Sequence, residues 1–127
     1  SDKLMILRLE KIADRQKRIA RYLCTAKLDR ATLAELDKVY TDICDAYNEE
    51  MKSYYNQDKQ ISTMIEVTNK NRTAACDKFL EKYTSIHANS KIKTNSSNLV
   101  AVAKIIENLK ATAVETRNIA RTVLCYE

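Results

Sequence analysis

From Met5 to Val123 the apolar side chains of this chain return every three or four residues. That phase lines them along one face of an α-helix, which turns once in 3.6 residues, whereas a half-buried strand requires alternation. The first stripe is Met5, Leu9, Ile12, Gln16, Ile19, Leu23 and Ala26, in a segment from Asp2 to about Leu28. The second is Leu33, Leu36, Tyr40, Ile43, Tyr47, Met51 and Tyr54. It follows two cap candidates, Asp29 and a capping box at Thr32-Leu33-Ala34-Glu35, and runs to about Asn56. A third stripe contains Ile61, Met64, Ile65, Thr68, Ala75, Cys76, Phe79, Tyr83 and Ile86. The fourth, Leu99, Val102, Ile106, Leu109, Ala113, Thr116, Ala120 and Val123, is the most regular, and its packing should resemble a coiled coil.

The 127 residues include no Gly and no Pro. Tight hairpins use Gly at positive φ, so its absence argues against a sandwich, a barrel or a doubly wound sheet, while helices joined by short polar turns lose least. The expected fold is all-α: one domain over residues 1–127, an antiparallel up-down-up-down bundle of about four long amphipathic helices. A turn is expected at Asn56-Gln57-Asp58, because an unbroken helix from 31 to 87 would be roughly 85 Å long with no partner of that length. A fifth helix results if Asn69-Lys70-Asn71 interrupts the third. The polar run from His87 to Ser97 is the clearest loop. No stretch approaches ~18 consecutive apolar residues, so no membrane span is expected, and the apolar part of the first eight residues is too short for a signal segment.

Catalytic chemistry finds few candidates. Phosphate-cradling loops need Gly, and di-metal bundles need Glu-x-x-His on facing helices; neither motif is present in the sequence. The single histidine, His87, falls at the end of the third helix, where an imidazole suits the helix terminus. Glu49 and Glu50 adjoin, but helix neighbours point about 100° apart, so they read as solvated or edge residues. No catalytic residue, metal ligand or cofactor is expected, and the chain reads as a non-enzyme. Cys24, Cys44, Cys76 and Cys125 lack metal or redox spacing. In the expected topology Cys44 and Cys76 lie at one level, which makes them the best disulfide pair if any exists.

The net charge of +5 is uneven. Residues 1–30 hold nine Lys or Arg against four acids, and residues 31–58 hold two against seven. The first two helices are therefore expected to lie together as a complementary pair. Arg8, Lys11, Arg15 and Arg18 form a basic stripe on the first helix, and Tyr40, Tyr47 and Tyr54 recur every seventh residue on the second. Either can be a bundle edge or a partner-binding face. The expectation is a protein-binding bundle that presents these residues to another protein with an acidic surface, slightly favouring a secreted, disulfide-bearing ligand or inhibitor over an intracellular adaptor or assembly subunit. Nucleic-acid or anionic-membrane binding through the basic first helix ranks next.

Overall fold

A computed structural model describes residues 2–88 and 96–125. It contains four helices: α1 (Asp2–Thr25), α2 (Arg30–Asn56), α3 (Lys59–Ala88) and α4 (Ser96–Cys125). No strand occurs among the described residues. Residues 89–95 of the expected polar loop lie outside them.

Side chains do the work that Gly and Pro do elsewhere. Of the two expected caps, Asp29 is the one used: its backbone is extended (φ −74°, ψ 169°), and Oδ1 accepts the Thr32 N–H at 2.7 Å, satisfying a donor of the first turn of α2. At the far end of α2, Gln57 adopts the left-handed conformation (φ 52°, ψ 44°). The Asp58 N–H then donates to the Ser53 carbonyl at 2.9 Å and the Gln57 N–H to that of Tyr54 at 3.4 Å, the paired closure of a Schellman turn. The Gln57 side-chain amide adds a bond to the same Tyr54 carbonyl at 2.7 Å. Asp58 Oδ1 accepts the Gln60 and Ile61 N–H groups, so the residue that leaves one helix starts the next. α3 runs without a break through Asn69–Asn71, which removes the five-helix alternative.

Contacts between helices fix the topology. Arg8 meets Glu115 and Lys27 meets Asn98, so α1 and α4 are antiparallel. Ser53 meets Ser62 and Lys82 meets Glu35 across α2 and α3, while Asp77–Lys110 and Glu66–Arg121 span α3 and α4. The direction therefore alternates along the chain, and α2 runs parallel to α4. α4 packs against all three other helices and carries the longest buried face, with Val102, Ile105, Leu109, Ile119, Ala120 and Val123 fully enclosed. Ala101, Ala113 and Ala120 on that face let neighbouring backbones approach closely.

Two expectations change. α1 makes close backbone contact with α4 alone, not with α2. No ion pair joins α1 to α2 among the described residues; of the α2 acids, Glu35 pairs with Lys82 of α3, Glu49 with Lys52, and Glu50 is interior. On α3 the buried line is Ser62, Ile65, Asn69, Arg72, Cys76, Phe79 and Tyr83, whereas the expected Met64 and Ile86 are 63% and 56% exposed. A narrow seven-residue seam through Ile65, Arg72 and Phe79 outranks the hydrophobicity of residues beside it.

Candidate functional site

The basic stripe divides along the edge of α1. Arg8 turns inward, its Nη1 3.3 Å from Glu115 Oε2, and Arg15 Nη1 donates to Asn108 Oδ1 at 3.3 Å. These two clamp α1 to α4. Lys11 and Arg18 stay exposed, Arg18 paired only with Asp14 one turn earlier on the same helix at 3.2 Å. Leu4 and Leu7, 41% and 54% exposed, continue the same helical line as Lys11 and Arg18 toward the N-terminus. The outer face of α1 thus joins an apolar end to a cationic one, on the flank turned away from α2.

The tyrosines occupy the opposite flank, where α2 looks toward α1. Tyr47 and Tyr54 are half-buried, with Met51, against Met5, Ile12 and Ile119. The Tyr40 hydroxyl donates to Gln16 Oε1 at 2.8 Å, and Gln16 Nε2 reaches Thr112 Oγ1 at 3.4 Å, so Gln16 ties α1 to both α2 and α4. Gln16, the polar member of the first stripe, is therefore a register device. Beyond it, toward the α1–α2 turn, the two helices leave a groove of about 320 Å³ floored by Ile105 and Leu109 and edged by Leu23 and Leu33.

Sequence reasoning missed a buried polar chain at the α2–α3 turn. Glu50, Ser53 and Ser62 are all 0% exposed. Ser62 Oγ lies 3.0–3.1 Å from both carboxylate oxygens of Glu50 and 2.6 Å from Ser53 Oγ, which lies 2.6 Å from the Asp58 carbonyl. Ser62 Oγ donates to the Glu50 carboxyl and Ser53 Oγ to the Asp58 carbonyl, with the two hydroxyls in contact between them. Burial, opposed in part by the Ser62 hydrogen bond, pushes the Glu50 carboxyl from 4.5 up to about 7. The signal was present in the chain: Leu36, Ile43 and Glu50 are spaced by sevens, so Glu50 continues the seam. The same spacing through Ile65, Arg72 and Phe79 explains the buried Arg72, whose Nη2 donates to the Ile65 carbonyl at 2.6 Å and Nη1 to Thr68 Oγ1 at 2.9 Å.

The cysteines are free thiols, and Cys44 and Cys76, the best candidate pair if any disulfide existed, are not bridged. The α2–α3 register set by Ser53–Ser62 and Glu35–Lys82 offsets the two by about a turn, and they point in different directions around their helices. Cys44 faces the α1 side of α2, bonded to Tyr40 one turn earlier, whereas Cys76 points into the core from α3, where burial pushes its thiol up to about 12. Exposed Cys24 and Cys125 lie at opposite ends of the antiparallel α1–α4 pair. The cysteines therefore lend no support to a disulfide-stabilised secreted fold. His87 stands in the last turn of α3, its ring centroid 4.1 Å from that of Tyr83. Among the described residues no group of His, Cys, Asp and Glu is arranged to hold a metal, and no helix is long and apolar enough to cross a membrane.

No family model, curated protein or solved structure matches the chain. The described residues present a mixed apolar and cationic face on α1 and a small apolar groove between α1 and α2, and the interior holds a buried polar chain around Glu50.

Proposed function

We propose that the protein is a non-enzymatic binding module whose outer α1 face docks an acidic segment of another protein. The observation that carries this reading is that α1 makes close backbone contact with α4 alone and meets α2 through Gln16 and apolar side chains, with Lys11 and Arg18 on the flank turned away from α2. Arg18 shares its charge only with exposed Asp14 on the same helix, and Lys11 forms no ion pair among the described residues, so this flank can attract an acidic partner. Long-range attraction of this kind raises association rates and selects orientation, while apolar anchors supply most of the affinity. Leu4 and Leu7 offer such anchors in the same line. Arg8 and Arg15 hold the helix in place, and Tyr40, Tyr47 and Tyr54 support it from the other side. A protein partner is favoured over nucleic acid because this line carries leucines where a single-strand binder needs stacking aromatics.

The test compares the wild-type chain with the double variant Lys11→Glu, Arg18→Glu, and separately with Leu7→Ala, after circular dichroism shows that all three fold alike. Partners are cross-linked in extract of the native source and measured by mass spectrometry across a salt series. The reading expects a shared set of acidic partners that the charge reversal abolishes and Leu7→Ala weakens. Unchanged capture by the double variant refutes it, as does steeply salt-dependent binding confined to duplex DNA or anionic vesicles.

A further inference from the structure

On the far side of α4 from α1, two ion pairs staple α3 to α4: Arg121 Nε to Glu66 Oε2 and Lys110 Nζ to Asp77 Oδ1, each at 2.7 Å. Between them opens a cleft of about 470 Å³, walled by Asn69, Lys70 and Thr73 from α3 and by Val114 and Arg117 from α4. Its volume lies in the range of roughly 300–1,000 Å³ typical of small-molecule sites.

The cleft holds polar groups of both kinds that nothing in the described fold satisfies. Lys110 and Arg121 are neutralised at its ends, but Lys70 and Arg117 between them form no ion pair among the described residues. Arg117 Nε is buried without an acceptor. Asn69 is only 3% exposed, and its Oδ1 has no donor. Thr73 gives its hydroxyl proton to the backbone carbonyls of Asn69 and Lys70, which leaves its oxygen able to accept. Buried polar atoms are ordinarily paired, so a cationic donor and a neutral acceptor unsatisfied in one cleft describe the complement of a ligand.

We propose that this cleft binds a small soluble phosphate monoester that carries a hydroxyl group near its phosphate. The ester bears about −1.5 to −2 charges at neutral pH, which matches the two uncommitted cations, whereas a single carboxylate leaves one of them unanswered. The Arg117 guanidinium presents a planar fork suited to phosphate oxygens, and Lys70 supplies a point charge at the rim. The ligand hydroxyl donates to Asn69 Oδ1. The flanking ion pairs put charges of both signs at the ends of the cleft, which suits a soluble ester better than a lipid headgroup embedded in a membrane.

The experiment is a titration of the full chain, labelled with nitrogen-15, with inorganic phosphate and with glycerol 3-phosphate at constant ionic strength. Saturable amide shifts confined to residues near 69–73 and 114–118 are expected, with glycerol 3-phosphate binding several-fold more tightly. Arg117→Gln should weaken binding roughly tenfold or more, as loss of a charge-assisted phosphate contact does. Lys70→Gln should act in the same direction, and because Lys70 lies at the surface it guards against a folding defect in the first variant. Charge reversal at Lys11 and Arg18 should leave the titration unchanged, which separates this site from the α1 face. The proposal is overturned by shifts that do not saturate and spread over α1, by equal affinity for the two probes, by indifference to both variants, or by binding only when the ester is phosphatidic acid in vesicles.

Discussion

Replacing Glu50 by Gln should make the protein more stable at neutral and alkaline pH and remove much of its pH dependence. The carboxyl is fully enclosed, and its ionisation is pushed from 4.5 up to about 7. Between those two values the unfolded chain has released its proton while the folded chain keeps it, so folding is favoured by acid. Stability from this group is complete below about pH 4.5, declines as the pH rises through 7, and is level above. At ~1.4 kcal/mol per pH unit, the interval of about 2.5 units corresponds to about 3 kcal/mol. That is a large share of the 5–15 kcal/mol typical of a domain and equals roughly 10 °C in melting temperature. The amide introduced by Glu50→Gln carries no charge to desolvate and keeps an oxygen that can accept from Ser62. Urea melts followed by circular dichroism at intervals from about pH 5 to about pH 8 should show wild type losing stability while Glu50→Gln stays nearly flat. Parallel curves, or a variant weaker than wild type at about pH 8, would refute the account of a Glu50 carboxyl whose ionisation opposes folding.

Three further outcomes follow from the geometry. Gln57→Gly removes the steric cost of the left-handed residue between α2 and α3 and should raise stability by about 0.5–1 kcal/mol in the same urea assay, less whatever the Gln57 bond to Tyr54 contributes. Leu109→Ala empties space at the centre of the largest core cluster, where Leu109 is 0% exposed, and should cost about 2–5 kcal/mol with a lowered urea midpoint. In an Ellman titration without reductant, Cys24 and Cys125 should react rapidly and Cys44 slowly, with Cys76 silent until denaturant is added, because burial holds its thiol protonated. Fewer than four reactive thiols in the unfolded protein would show a disulfide that the fold does not contain.

The helical content, the number of helices and their approximate limits are legible in the chain. The phase of Met5, Ile12 and Ile19, or of Val102, Leu109 and Val123, leaves one geometry that buries them, and a chain without Gly or Pro has few turns with which to do anything else. Local chemistry set the ends in the same way: Asp29 and Asp58 cap because their carboxylates reach N–H groups two or three residues onward. The faces that matter for function are less legible. A periodic stripe gives a helix one buried side but does not say which neighbour covers it or from which direction. Only assembly placed α4 at the centre, kept the α1 backbone from close approach to α2, and turned Arg8 inward while leaving Lys11 outside. It also kept Cys44 apart from Cys76, and buried Glu50, Asn69 and Arg72 because each lies in phase with apolar residues on its own helix. Burial follows position on the seam once four helices close on one another, and polarity then has to be satisfied wherever that position falls.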